Sequence, residues 1–315
     1  MNSTDEDNRL AYKYYACLGY KSCPHKKGSN NQLYYLEWET ELNCPQVFEQ
    51  SYLIGTCEHI EWPPPKNIPL KIKETLLLHG RITELPLYYF VEKSNGVPTP
   101  TIWRKDEVES YKRRARNKEP LGWYPYENHH IYSTLEKFNL TGKVGMVIGS
   151  QYPWLESILL EVGKASKIVT VEYYPTISEH PQIDTLHPNK LSENYDAIKE
   201  KYKFGFIFSF SSLEHSGLGR YGDPIDPYGD FREMQKSFCL LDDGALVFLG
   251  VPLGDDSINY NAHRIYGKWR LSLMGTHFEF LGIDGNTNEK YFWSHVTGSS
   301  KQAVAVFRKR QSPIC

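Results

Sequence analysis

No apolar run in the chain nears the ~20 residues that a transmembrane helix needs, so no membrane segment is expected. No Cys-x-x-Cys occurs, and Cys17, Cys23, Cys44, Cys57, Cys239 and Cys315 are irregularly spaced. A zinc site is therefore not expected, and a divalent cation is read only as an alternative to substrate hydroxyls at the carboxylates of Asp223 and Asp226. Excess charge of one sign is lacking too: 36 basic and 38 acidic residues leave a net charge of −2. That balance gives no general attraction to nucleic acid or to an anionic membrane. There is no internal repeat and no low-complexity segment. The first residues, Met1-Asn-Ser-Thr-Asp-Glu-Asp-Asn8, are acidic and polar, unlike a signal peptide. The reading is cytoplasmic, with the secretory-pathway lumen as the alternative if the chain is a piece of a longer one.

What the chain does have is 315 residues, enough for a sizeable core, and an aromatic content of 14% with 23 tyrosines. Four of the six cysteines fall within the first 57 residues. That clustering fits a pair of disulfides in an oxidising compartment; free buried thiols are the alternative. The sequons Asn2-Ser-Thr4 and Asn139-Leu-Thr141 are compatible with the former.

Two parts are expected. Residues 1–120 read as an irregular N-terminal extension or cap. It holds a short helix at Lys71–Leu78, a strand at Leu85–Val91 and a solvated basic face at Lys112–Arg116. Residues 121–315 alternate regularly. Strands are expected at 143–149, 167–172, 182–186, 204–210, 245–251, 277–283 and 302–308. Helices are expected at 129–138, 153–163, 192–202, 230–241 and 262–274, with no helix between the last two strands. This is an α/β, Rossmann-like fold: a seven-stranded, mostly parallel sheet with its last strand antiparallel.

In such a sheet, ligands bind at the carboxyl ends of the strands. The turn Gly149-Ser150-Gln151 leaves the first strand, and Glu172 ends the second about 20 residues later, where a carboxylate can hold ribose hydroxyls. In this first turn Gln151, Tyr152 and Pro153 follow in place of the glycine pattern of a dinucleotide fingerprint, which disfavours a nicotinamide cofactor and suits one without a pyrophosphate. Ser209 and Phe210 close the fourth strand and can border the same cofactor. Beyond them lie Glu214 and His215, then Arg220, Tyr221, Asp223 and Asp226, and after the fifth strand Asn261, His263, Arg264 and Tyr266. His215 and His263 are candidate bases, since histidine titrates nearest neutrality. Asp223 is a candidate to hold substrate hydroxyls or assist catalysis. Arg220, Tyr221, Asn261 and Arg264 are candidate substrate contacts, Arg264 by bidentate capture of an anion. A helix-capping or turn-capping role is the plainer alternative for His215, Arg264 and Asp226.

The blocks Gly149-Ser-Gln-Tyr-Pro-Trp154, Val171-Glu-Tyr173, Ser212-Leu-Glu-His215, Gly219-Arg-Tyr-Gly-Asp223, Gly250-Val-Pro-Leu-Gly254 and Asn261-Ala-His-Arg-Ile-Tyr266 resemble domain of unknown function 268, a methyltransferase-like group. The resemblance spans roughly residues 120–310. It implies the class I methyltransferase fold and S-adenosylmethionine as cofactor, with Gly149 and Glu172 in the cofactor roles; Ser150, Gln151, Ser209 and Phe210 are cofactor-binding candidates by their positions after the strands. O-methylation of a small-molecule or glycan hydroxyl is the expected activity. The alternatives are an inactive binding protein and an N-methyltransferase. Oligomeric state is not read from the sequence.

Overall fold

The structure is a computed structural model, and it describes residues 42–49, 63–86, 89–91 and 99–310. Cys17, Cys23, Cys57, Cys315 and the Asn2 sequon lie outside those residues.

The main sheet has seven strands: β1 (Val144–Ile148), β2 (Lys167–Val171), β3 (Ile183–Leu186), β4 (Phe204–Phe210), β5 (Leu241–Leu253), β6 (Phe278–Ile283) and β7 (Lys301–Lys309). Their order across the sheet is β6-β7-β5-β4-β1-β2-β3. Only β7 runs against its neighbours, pairing antiparallel with both β5 and β6. Six of the seven strands were legible as apolar runs, because strands covered on both faces have little polar side to alternate with; β3, at the sheet edge, carries Asp184 and Thr185 and gives a weaker signal. In β4, Phe206, Phe208 and Phe210 enter one core while Ile207 enters the other. A register shift at Gly205 puts Phe204 on the face opposite Phe206.

Helices Lys105–Arg116, Asn128–Leu135 and Trp154–Glu161 cover one face, and Pro188–Glu193, Tyr195–Tyr202 and Gly229–Leu240 cover the other. Arg113, Arg114 and Arg116 are exposed, as a solvated basic face should be. Three expectations need correction. His263–Ile265 is a strand, and only Lys268–Met274 is helical, because His263–Ile265 pairs antiparallel with Ser257–Asn259. A helix, Glu289–Val296, does separate β6 from β7, capped by the Asn288 side chain on the amides of Lys290 and Tyr291. Among the described residues of 85–91 there is no strand; Thr83–Glu84 pairs instead, parallel to Ser257–Asn259.

The described residues before position 92 pack against the sheet domain. Ile68, Leu76, Leu78 and Ile82 form a third small core with Leu218, Ile258 and Tyr260, over the loops that leave β4 and β5. Phe48 stacks on Tyr195 at 4.2 Å between centroids. Cys44 forms a disulfide with Cys239, 195 positions away. The expected pairing was among the N-terminal cysteines. For Cys44 the partner is instead a buried cysteine of the Gly229–Leu240 helix. No helix among the described residues is long and apolar enough to cross a membrane.

Candidate active site

β1 and β4 are neighbours whose onward connections leave in opposite directions across the sheet, the crevice position where open α/β sheets bind ligands. At the end of β1 the chain turns at Gly149, with φ +72°, and an added Cβ would sit 2.0 Å from Ser212 Oγ. Glycine is needed here both for the left-handed backbone and for the close approach. The Ser150 amide donates to Glu172 Oε2 at 2.8 Å, while Glu172 Oε1 accepts from the amides of Tyr173 and Tyr174 at 2.7 and 3.2 Å. Glu172 thus ties the first turn to the end of β2. Burial raises its pKa against the pull of those amides. Gln151 is exposed, and its carbonyl accepts from the Trp103 indole at 3.4 Å.

Beneath this turn sits a group that the sequence reading passed over. Glu156, fully buried, accepts from Thr170 Oγ1 at 2.8 Å, and its Oε2 lies 3.1 Å from Ser150 Oγ, whose one proton goes to the Tyr152 carbonyl at 2.7 Å and which therefore accepts from the protonated carboxyl. Desolvation raises its pKa from 4.5 to about 7. Its only sequence signal was a carboxylate on the apolar face of an amphipathic helix. A carboxyl held protonated by the fold contributes stability below the unfolded value, and that stability is lost as pH rises through about 7. Glu156→Gln keeps the hydrogen bonds without the titration. It is expected to raise the melting temperature relative to wild type more at pH 8 than at pH 5, as calorimetry can check; an equal change at both pH values would refute the account.

β4 ends with its side chains on opposite faces. Phe210 packs between Tyr124 and Trp154, each 5.7 Å away between centroids. Ser209 Oγ is buried on the other face with no hydrogen-bond partner. Ser211 follows with φ +53°, and its hydroxyl bonds Tyr124 Oη at 2.7 Å and Glu214 Oε1 at 2.8 Å. Glu214 is buried, desolvation raises its pKa to about 7, and its Oε2 has no partner.

His215 Nδ1 lies 2.6 Å from the Ala262 carbonyl oxygen. A carbonyl only accepts, so Nδ1 carries the proton and Nε2 presents a lone pair. Glu214 Oε1 is 3.6 Å from that Nε2. Desolvation, with Arg220 next, lowers the His215 pKa to about 3, so the ring is neutral at physiological pH. The rings of Tyr221 and His263 approach edge-on, at 5.6 and 6.5 Å. Arg220 lies over the rings of Phe90 and Tyr221 at 4.7 and 5.1 Å. His263, half-buried, also has its pKa lowered by desolvation.

The remaining candidates stand behind these. The run Gly217-Leu-Gly219-Arg-Tyr-Gly222 has the spacing of a phosphate-binding loop, and its three glycines have φ between +75° and +87°. Its amides are already engaged: those of Gly217, Gly219 and Tyr221 donate to Asp223 at 2.7, 3.2 and 3.2 Å. Asp223 fills the anion nest of its own loop. Asp226 accepts from the Tyr228 amide and the Arg232 guanidinium, the capping role foreseen for it. Asn261 is fully buried, and its amide grips Phe90 through both backbone groups, at 2.9 and 2.6 Å. Arg264 is fully buried too, donating to the Ser216, Asp226 and Glu214 carbonyls. Neither Asn261 nor Arg264 reaches a surface where a substrate could meet it; both hold the walls. Gly149, Ser150, Glu172 and Ser212 come together as one group, and His215, His263, Arg220 and Tyr221 as another beside it. Among the described residues, no cluster of histidine, cysteine and carboxylate side chains is arranged to hold a metal ion.

Gly149→Ala is expected to weaken cofactor binding at least tenfold, because the methyl overlaps Ser212 Oγ and the left-handed φ is strained. Ser212→Gly in the same chain is expected to recover part of the loss. Titration calorimetry checks both, and wild-type affinity in the single variant would refute the packing argument.

Residues 142–313 match the family model described as "Caenorhabditis protein of unknown function, DUF268". No curated protein matches the chain. Similar solved structures include the Trm112 methyltransferase activator complex of Haloferax volcanii, with 8% identity and a TM-score of 0.40 over 65% of this chain and 98% of that one. The [4+2]-cyclase SpnF has 11% identity and a TM-score of 0.38 over 69% and 100%. The N-methyltransferase NodS of Bradyrhizobium japonicum, in complex with S-adenosyl-L-homocysteine, has 12% identity and a TM-score of 0.36 over 64% and 97%. No residue role is carried from these to the present chain.

Proposed function

The chain belongs to the DUF268 family, and we propose, from the Rossmann-like sheet it forms, that it is an S-adenosylmethionine-dependent methyltransferase acting on a hydroxyl. The observation that carries this reading is the contact of Gly149 with Ser212, beside the Glu172 clamp, at the β1–β4 crevice. The seven-stranded order with one reversed strand supports the same class.

The residues present fit the cofactor. The Gly149 turn leaves no Cβ in the way. Glu172 Oε2 accepts one amide and keeps a second lone pair for a ribose hydroxyl. Ser209 Oγ is an unused polar atom at the same strand end. When bound, S-adenosylmethionine supplies an electrophilic methyl group. His215 Nε2 accepts the proton of the acceptor hydroxyl as it attacks, and Glu214 alongside stabilises the imidazolium. Alignment of the hydroxyl by the His215, Tyr221 and Arg220 wall supplies the rest through proximity.

A sugar acceptor is favoured by exposed aromatic surface near the ends of β1 and β2. Trp123 is 65% exposed and lies 5.8 Å from Tyr152, and Tyr173 is 51% exposed. Such rings stack on the apolar faces of sugars. The Cys44–Cys239 disulfide favours an oxidising compartment, the secretory-pathway lumen, over the cytoplasm.

Labelled methyl transfer from S-adenosylmethionine should appear on a glycan or small-molecule hydroxyl. Binding of the cofactor without turnover on any acceptor would favour a binding protein instead. Absence of cofactor binding at saturating concentration would remove both readings.

A further inference from the structure

We propose that Asn139 is a site of N-linked glycosylation. It opens the sequon Asn139-Leu-Thr141 in the loop between the Asn128–Leu135 helix and β1. Asn139 and Thr141 are both exposed, while Leu140 between them is 1% exposed and anchored in the core on that face. Anchoring the middle residue holds the two outer ones toward solvent. Asn139 Oδ1 accepts from the Thr141 amide at 2.9 Å, an Asx turn that leaves the side-chain nitrogen Nδ2 out of that bond. Gly142 follows with φ +74°, and a Cβ there would meet nothing within 4 Å. The space around the sequon is therefore open.

The second observation is independent of the loop. A disulfide between positions 195 residues apart is a mark of folding where thiols oxidise, and N-linked glycans are added in such a compartment. The inference rests on that compartment reading, but not on methyl transfer. In the reaction, Asn139 Nδ2 displaces a lipid-linked diphosphate from C1 of an oligosaccharide. A C–N bond forms, the C–O bond to the diphosphate breaks, and the amide proton passes to base.

The glycan would stand clear of the candidate site. The sequon precedes the amino end of β1, and Gly149 follows its carboxyl end after five strand residues, about 16 Å away along the sheet. A bulky polar group there shields the sheet's far end without covering the mouth.

The test uses the full chain recovered from eukaryotic cells. Enzymatic removal of N-glycans should lower its mass and convert Asn139 to aspartate in the tryptic peptide. Asn139→Gln and Thr141→Ala should each abolish the modification of the peptide that holds residue 139 and the share of the mass shift it carries, whatever is attached at Asn2, with cofactor binding unchanged. Cys44 and Cys239 are scored for oxidation in the same sample. An unmodified Asn139 in a chain whose Cys44–Cys239 bond is oxidised overturns the glycosylation site alone. Free Cys44 and Cys239 thiols with an unmodified Asn139 overturn it together with the compartment.

Discussion

Replacing Asp230 with alanine is expected to destabilise the fold by about 3–5 kcal/mol, the cost of breaking a buried ion pair from one side. Asp230 is fully buried and takes a bidentate pair from Arg270, with Nη2 and Nε each at 2.7 Å. Tyr266 Oη donates to it at 3.0 Å, and Arg264 Nε lies 3.9 Å away. Burial alone would raise the Asp230 pKa; Arg264 and Arg270 reverse that and hold it below the ordinary value. Without the carboxylate, two fully buried guanidinium groups lose their main counter-charge and keep only the weaker pull of Asp226 on Arg264 and of Asp256 on Arg270. Arg264 Nε and Arg270 Nη1 already lack partners, so neither has a spare acceptor to turn to. The loss would spread to the site, because Arg264 holds the Ser216 and Asp226 carbonyls in the loop after His215. Asp230→Asn keeps the shape and one acceptor and should cost less. Urea unfolding with an unchanged slope measures both; a loss below about 1 kcal/mol for the alanine variant would contradict the buried-network account.

His215→Ala is expected to lower kcat by about 10²–10⁴-fold, the range for loss of a positioned general base. Cofactor affinity should stay within about twofold, because the proposed cofactor contacts are Gly149, Ser150 and Glu172 rather than the imidazole. The pH profile separates a base from a structural histidine. His215, lowered to about 3, holds its Nε2 lone pair throughout the working range. The acid limb of kcat/KM then belongs to Glu214, raised to about 7. Only ionised Glu214 stabilises the imidazolium 3.6 Å away, so the rate should rise with pH through that region. Glu214→Gln should flatten the limb. Wild-type turnover in His215→Ala would instead indicate an acceptor, such as an amine, that needs no base.

The central strands were legible because each is an apolar run closed by glycine, a polar turn or a carboxylate, which is local information; β3, with Asp184 and Thr185 in it, gave less. The Asn288 cap was legible in the same way but lay in a stretch read only for strands. The 262–274 segment misled because Arg264 and Tyr266 look polar and helical in sequence. Their conformation is set by Thr83–Glu84 and Ser257–Asn259, partners that a local pattern cannot show. Asn261 and Arg264 looked like ligand contacts for the same reason. Polar residues after a strand suggest a site until another segment, here Phe90 or the Ser216–Asp226 loop, is found engaging them.

By itself the sequence determined the order of the seven main-sheet strands and the helices between the first five, the glycine at the first turn and the acid at the second strand's end. These depend on side-chain period, on backbone freedom and on chain spacing. Only the tertiary structure decided which polar groups face a crevice and which are walled in. It paired Cys44 with Cys239 across 195 positions, set Glu156 beneath the Ser150 turn, and gave His215 its tautomer through the Ala262 carbonyl. Burial and hydrogen-bond partners arise between segments far apart in the chain. They turn a list of titratable residues into one proposed base, one clamp and a set of supports.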